Sequence, residues 1–203
     1  MKFLSIFIVF VILSNSCFSQ LNPHRPTLGT RNLGGNFSTT NSGGIGAFIA
    51  NEASFSLFAD QRFNYQISKK TAISLGIGLE LSTATKLQFM SDKSPERSLG
   101  SFGYMIPLHF DFNWGCQSFV NNLDAFGLYT GFGFAIAGLP KYNNGVYTNS
   151  GSIGYYTNVG TLFALSEKFK MGLKLYAILN QIPSSNLTSV YGLQFVFYSN
   201  PKY

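Results

Sequence analysis

Along most of the chain, bulky apolar side chains alternate every second residue with Gly, Ser, Ala, Asn and Gln, and short turns alternate with longer polar loops. Together these patterns predict an all-β chain, an eight-stranded antiparallel transmembrane β-barrel with an up-and-down meander. A period of two sends alternate residues to opposite faces of a sheet. A water-soluble, lipocalin-like barrel is the alternative, but it needs an outer face rich in Lys and Glu, and the polar faces here carry only occasional charges. Composition points the same way. A length of 203 residues suits one domain, and 16% aromatic against 11% charged residues, with 21 Gly and 21 Phe, disfavours a soluble helical protein.

The N-terminal residues form a separate unit. Met1 and Lys2 give a short positive start, Phe3 to Leu13 is apolar apart from Ser5, and Cys17 and Ser19 stand at the −3 and −1 positions for cleavage before Gln20. Residues 1–19 are therefore expected to be a secretory signal peptide, and 20–203 the barrel domain. The apolar run is too short to cross a bilayer as a helix. A lipidated Cys17 is the other reading, and Ser14 occupies the position where a lipobox has Leu. Cleavage before Gln20 leaves Cys116 as the one cysteine of the mature chain, so no internal disulfide or cysteine-based metal site is expected.

The strands follow in order. The first is expected between Thr27 and Thr40, where Leu33, Gly35, Phe37 and Thr39 alternate weakly, because an antiparallel barrel closes with an even count. From Phe55, one face reads Phe55, Leu57, Ala59, Gln61, Phe63, Tyr65, Ile67 and the other Ser54, Ser56, Phe58, Asp60, Arg62, Asn64, Gln66. Ile73 to Leu81 then oppose Ala72, Ser74, Gly76, Gly78, Glu80 and Ser82. The clearest run sets Phe102, Tyr104, Ile106, Leu108, Phe110, Phe112 and Trp114 against Ser101, Gly103, Met105, Pro107, His109, Asp111 and Asn113. Phe126 to Ile136, Ile153 to Leu165, Phe169 to Gln181 and Val190 to Tyr198 complete the set.

The connections are of two kinds. Ser68-Lys69-Lys70, Asn121 to Asp124 and Ser166-Glu167-Lys168 read as turns, the middle one within a linker from Gly115; Asn41 to Ala53, Ala84 to Ser98, Leu139 to Gly151 and Pro183 to Thr188 read as longer loops. This asymmetry predicts periplasmic turns, outer loops and both chain ends on the periplasmic side. The formal charge of +6 is spread over Lys69, Lys70, Lys86, Lys93, Arg97, Lys141 and Lys168 among others, which suits solvated loops and anionic lipid headgroups and forms no nucleic-acid stripe.

The run from Phe102 to Trp114 also has the vertical order of a membrane strand, with aromatics at its ends and Ile106 and Leu108 in the middle. At ~3.3 Å per residue it is about 40 Å long, and a tilt near 40° reduces this to about 30 Å of height. Closure satisfies every backbone group in lipid. Pro107 cannot donate to a ladder, so a bulge or locally broken pairing is expected there.

With these features in place, the chain resembles the outer-membrane β-barrel domain family of small bacterial proteins, the OmpA-type and OmpX-type eight-stranded barrels. The resemblance covers Thr27 to Tyr198 and rests on the signal peptide, the turn and loop asymmetry and the ending Tyr191-Gly192-Leu193-Gln194-Phe195-Val196-Phe197. That ending is similar to the signal read by barrel assembly machinery, although Ser199 to Lys202 and then Tyr203 follow it. The resemblance implies location in the cell outer membrane, with outer-membrane lipid and lipopolysaccharide as surroundings and assembly machinery as a biogenesis partner. It assigns no activity, because one fold hosts many functions.

Inside such a barrel Asp60, Arg62, Glu80, His109, Asp111, Lys170 and Lys174 point into a narrow lumen. Buried charge is costly without a partner, so a structural network is expected: Arg62 with Glu80 or Asp60, and Lys170 or Lys174 with Asp111. A small polar pore or proton path is the sharper reading, for which eight strands leave little room. A lipid A deacylase or acyltransferase needs a histidine near the outer rim. His24 precedes the barrel and His109 lies inward towards the periplasmic half, so no catalytic residue is assigned and no enzyme is expected. The histidines and Cys116 make no metal ligand set, no cofactor is expected, and Gly76-Ile77-Gly78 and Gly131-Phe132-Gly133 sit inside strands, leaving space for lumen neighbours such as Tyr129 or Phe58. The remaining role is structural or surface binding through loops: Tyr142, Asn143, Asn144, Tyr147 and Asn149 towards glycan or protein, and Lys86, Lys93 and Arg97 towards lipopolysaccharide phosphate.

Overall fold

A computed structural model of the chain describes residues 30–34, 37–50, 53–84, 101–115, 124–143, 146–165, 169–180 and 189–199. Within them the strands are β1 (Thr30–Gly34), β2 (Phe37–Ile49), β3 (Ala53–Gln66), β4 (Thr71–Ala84), β5 (Ser101–Gly115), β6 (Phe126–Asn143), β7 (Val146–Ala164), β8 (Phe169–Asn180) and β9 (Val190–Ser199). Each pairs with the next in antiparallel order, and β2 also pairs with β9, from Ser42↔Tyr198 to Ile49↔Tyr191. That last ladder closes β2–β9 into an eight-stranded barrel, the predicted meander. β1 lies outside the count. It pairs with the start of β2, Thr30↔Thr40 to Gly34↔Phe37, where β9 has already ended.

Alternation sorts the side chains without exception along β5: Phe102, Tyr104, Ile106, Leu108, Phe110, Phe112 and Trp114 are exposed, while Met105, His109, Asp111 and Asn113 are buried. The exposed set continues around the barrel and includes Phe132 at 69%, Ile49 at 64% and Phe55 at 62%. No water-soluble monomer keeps an apolar surface of this extent, since the largest such patches are about 300–600 Å². The face is a lipid-facing belt, and the soluble lipocalin-like alternative is set aside on this ground.

Two boundaries differ from expectation. The first barrel strand is Phe37–Ile49, shifted from the expected Thr27 to Thr40, so most of the expected loop Asn41 to Ala53 is strand. Its Gly, Ser and Asn content imitates a loop, but in a crowded lumen these small residues are what fits: a Cβ on Gly44 would stand 1.9 Å from the Phe195 carbonyl oxygen. The expected loop Leu139 to Gly151 is likewise mostly hairpin, because β6 and β7 stay paired to Tyr142↔Tyr147 and Asn143↔Val146.

Pro107 behaves as its missing N–H requires. The β4–β5 ladder runs to Ile77↔Leu108 and resumes at Glu80↔Met105, so pairing is interrupted beside Pro107 while the register is kept and no bulge forms. The turn at Ser68-Lys69-Lys70 is closed by Ile67 N–H donating to the Thr71 carbonyl at 3.0 Å. Gly115 ends β5 with φ +69°, and a Cβ there would lie 2.3 Å from the Phe126 carbonyl oxygen. The expected signal peptide, His24, Cys116, the expected loops at 85–98 and 183–188 and the expected turns at 121–123 and 166–168 lie outside the described residues.

Candidate functional site

All seven of the predicted lumen residues are buried: Asp60, Arg62, Glu80, His109, Asp111, Lys170 and Lys174. Alternation on β3 places Asp60 and Arg62 on the same inner face, and on β5 it does the same for His109 and Asp111. The two pairs belong to strands that are not neighbours, since β4 runs between them. Gly76 removes the obstacle. Arg62, Gly76 and His109 form one register row, and a Cβ on Gly76 would fall 2.3 Å from the His109 ring.

The four side chains close into a ring above that glycine. Arg62 Nε donates to Asp60 Oδ2 at 2.9 Å, and Arg62 Nη1 lies 3.2 Å from Asp111 Oδ2. His109 bridges the same two carboxylates, Nε2 at 3.2 Å from Asp60 Oδ1 and Nδ1 at 2.9 Å from Asp111 Oδ2. Asn158 Nδ2 donates to Asp111 Oδ1 at 3.0 Å, and the Arg62 guanidinium stands 4.8 Å from the Tyr129 ring centre. Two acids thus share one permanent cation and an imidazole, a pairing that makes their burial tolerable.

The same construction recurs around the barrel. Asp111 and Asn158 meet across Gly131, and His109 and Tyr156 across Gly133, with ring centres 5.6 Å apart. Glycine therefore does make room for lumen side chains, though Gly76 and Gly131 face His109 and Asp111, while Tyr129 lies over Gly160 and Phe58 against Gly44. Extra volume at such a row forces packed rings to move. Gly160→Val, which drives a side chain into Tyr129, is expected to cost about 1–3 kcal/mol, read as a lower denaturant midpoint in lipid vesicles.

Of the two acids expected for Arg62, Asp60 pairs with it and Glu80 does not. Glu80 accepts from Ser56 Oγ, from Tyr176 Oη at 3.0 Å and from Gln194 Nε2 at 2.7 Å, making a second polar layer of neutral donors. Asp111 is met by Arg62 and His109 where a lysine was expected, and Lys174 Nζ instead stands 5.2 Å from the Phe58 ring centre. The carboxylate of Asp111 is already taken up by Arg62, His109 and Asn158. A third layer links Asn64 to Thr40 at 2.6 Å and to Ser74 at 2.6 Å, with Asn113 donating to Ser74.

Apolar side chains share the interior with these layers. Phe48, Met105, Leu139, Tyr156, Tyr176, Ile178 and Val190 pack together towards the loop end, and Phe58, Leu162, Val196 and Tyr198 form another cluster. Such an interior is a filled core, as eight strands dictate. His109, 1% exposed inside it, is out of reach of a lipid ester at the surface. Among the described residues no group of three or more His, Cys, Asp or Glu is placed to hold a metal ion. Sequence had supplied the inward residues; it had no signal for Asn158, Gln194, Tyr129 and Tyr176 as their partners, because those depend on register across strands.

No protein-family model matches the sequence, and no curated protein matches it. The fold does match solved structures. Ail, the attachment invasion locus protein of Yersinia pestis, superposes with TM-score 0.52 at 9% identity over 85% of this chain and 99% of that one. Ail in complex with the heparin analogue sucrose octasulfate gives TM-score 0.52 at 8% identity over 79% of this chain and 96% of that one. Neisserial surface protein A gives 0.48 at 11% identity over 86% and 100%. At such identities the likeness is one of fold: this chain has the architecture of small outer-membrane barrels.

Proposed function

We propose that the protein is a surface-binding outer-membrane barrel, in which the polar lumen is a structural plug and the β6–β7 hairpin is the binding element. The carrying observation is the length of that hairpin. β5 stays paired with β6 only to Tyr104↔Gly138, and β8 with β7 only to Gly154↔Asn180, whereas β6 and β7 continue together to Asn143↔Val146. Among the described residues, a ribbon of five residue pairs therefore runs on with no strand beside it. Beyond the bilayer its edges offer unpaired backbone groups to an added strand, the means by which sheet edges take extended polypeptide.

The two edges are unequal. On β6 the stretch carries Pro140, which has no backbone N–H to donate, and Lys141, whose charge opposes strand addition, while Val146 to Ile153 on β7 holds neither Pro nor charge. The reading gains support from Ail, a barrel of the same fold that has been solved with a heparin analogue bound. The mature form in this reading is 20–203, released from signal peptide 1–19 and folded by the assembly machinery, with lipopolysaccharide around its outer half.

Replacing residues 140–150 with an Asn-Gly turn tests it. Bacteria carrying the shortened protein are expected to lose adherence to host-cell and matrix-protein surfaces, while the protein keeps its heat-dependent shift on detergent gels. Undiminished adherence with the shift intact removes the hairpin from the function.

A further inference from the structure

Among the described residues two amide side chains face the lipid, and they stand side by side. Asn41 on β2 and Gln61 on β3 are register partners, both on the outer face with Ile45, Leu57 and Phe63. The other outward positions of the barrel strands within the belt hold apolar residues, Gly, Ala or Thr. Two of the outward threonines of β6 and β7 satisfy themselves on the backbone: Thr130 donates to the Asn158 carbonyl at 3.1 Å and Thr157 to that of Gly131 at 3.2 Å. No described group hydrogen-bonds either amide, and Asn41 Oδ1 is buried without a partner.

Depth makes the pair more than a tolerated interface residue. On the turn side it is followed by Thr39↔Phe63 and Phe37↔Tyr65, whose tilted rings lie 4.9 Å apart as part of the aromatic girdle. On the other side come Gly43↔Ala59 and the aliphatic Ile45↔Leu57. Four residues inward of Tyr65, at ~3.3 Å each and a tilt near 40°, Gln61 lies about 10 Å into the hydrocarbon, beyond the reach of headgroups. An amide there needs a hydrogen-bonding partner, since lipid offers none. Gly43 and Ala59 beside it are small and permit close approach.

We propose that this patch is where two copies of the chain pair in the membrane. Asn41 Oδ1 is turned inward, so Asn41 offers its Nδ2 as donor and Gln61 its Oε1 as acceptor, and the patch complements itself. All copies insert in one orientation, so Asn41 and Gln61 of each lie at the same depth, and a twofold axis along the membrane normal brings Asn41 of one to Gln61 of the other. The apolar remainder of the β2–β3 face then packs as the rest of the contact.

Oxidative crosslinking in native outer membranes tests the pairing with both amides in place. In the full chain with Cys116→Ser, Ala59→Cys is expected to give a covalent dimer at least about fivefold more efficiently than Val159→Cys on the opposite wall, as a single twofold interface requires. Equal yields, or an adduct with the mass of a different protein, overturn the proposal. In bilayers, Asn41→Leu with Gln61→Leu is expected to weaken self-association about tenfold while the heat-dependent gel shift is retained. Association at the wild-type level also overturns it, and should the double variant fail to fold, the Ala59→Cys result decides.

Discussion

Replacing Arg62 with methionine is expected to lower the unfolding free energy of the barrel by about 3–5 kcal/mol, since removing one partner leaves buried charge uncompensated. Arg62 is fully buried and is the permanent cation between Asp60 and Asp111, so its loss leaves two carboxylates facing each other with only His109 between them. The measurement is urea unfolding in lipid vesicles, followed by the fluorescence of Trp114. Converting Asp60 and Asp111 to asparagine in the same variant is expected to recover most of the loss, because the deficit is one of unpaired charge and not of packed volume. An Arg62→Met protein that unfolds at the wild-type urea concentration would mean that the ring contributes nothing to stability.

The second large effect concerns the outer face. Leu108→Arg places a cation at the middle of the belt on β5 and is expected to cost about 2–4 kcal/mol, whereas Phe102→Arg, at the loop end of the same strand, is expected to cost about 0–1 kcal/mol. Both side chains are half-exposed on the same face, so local packing alone predicts similar penalties. Depth in the bilayer is what separates them. Equal costs at the two positions would contradict the placement of the belt.

Much of this architecture was legible from one chain of letters because a barrel wall obeys a local rule. Each residue of a strand points in or out according to parity, and the run Phe102 to Trp114 states that parity without error. Strand β2 was misplaced where the rule lost its contrast: Asn41, Gly43 and Gly46 have too little side chain to mark a face, so turn-like composition prevailed over a strand whose membership is set by its neighbours β3 and β9. The hairpin beyond Gly138 was read as loop for a related reason. Outside the bilayer neither face must be apolar, and the alternation that marks the membrane strands fades although the backbone pairing continues.

The lumen divides along the same line. That Asp60, Arg62, Glu80, His109, Asp111, Lys170 and Lys174 face inward follows from parity, a property of each strand by itself. Which of them meet does not, because it depends on register between strands and on which intervening residue is a glycine. Arg62 reaches Asp111, and His109 reaches Asp60, only because Gly76 lies between them in the row, and Glu80 lies near Tyr176 and Gln194, 96 and 114 residues further on, only because the barrel closes. The sequence alone thus determined fold class, membrane face and the inward charges. Closure and register, which arise when distant strands pair, decided the partners of those charges, the position of the first strand and the adjacency of Asn41 and Gln61 on the lipid face.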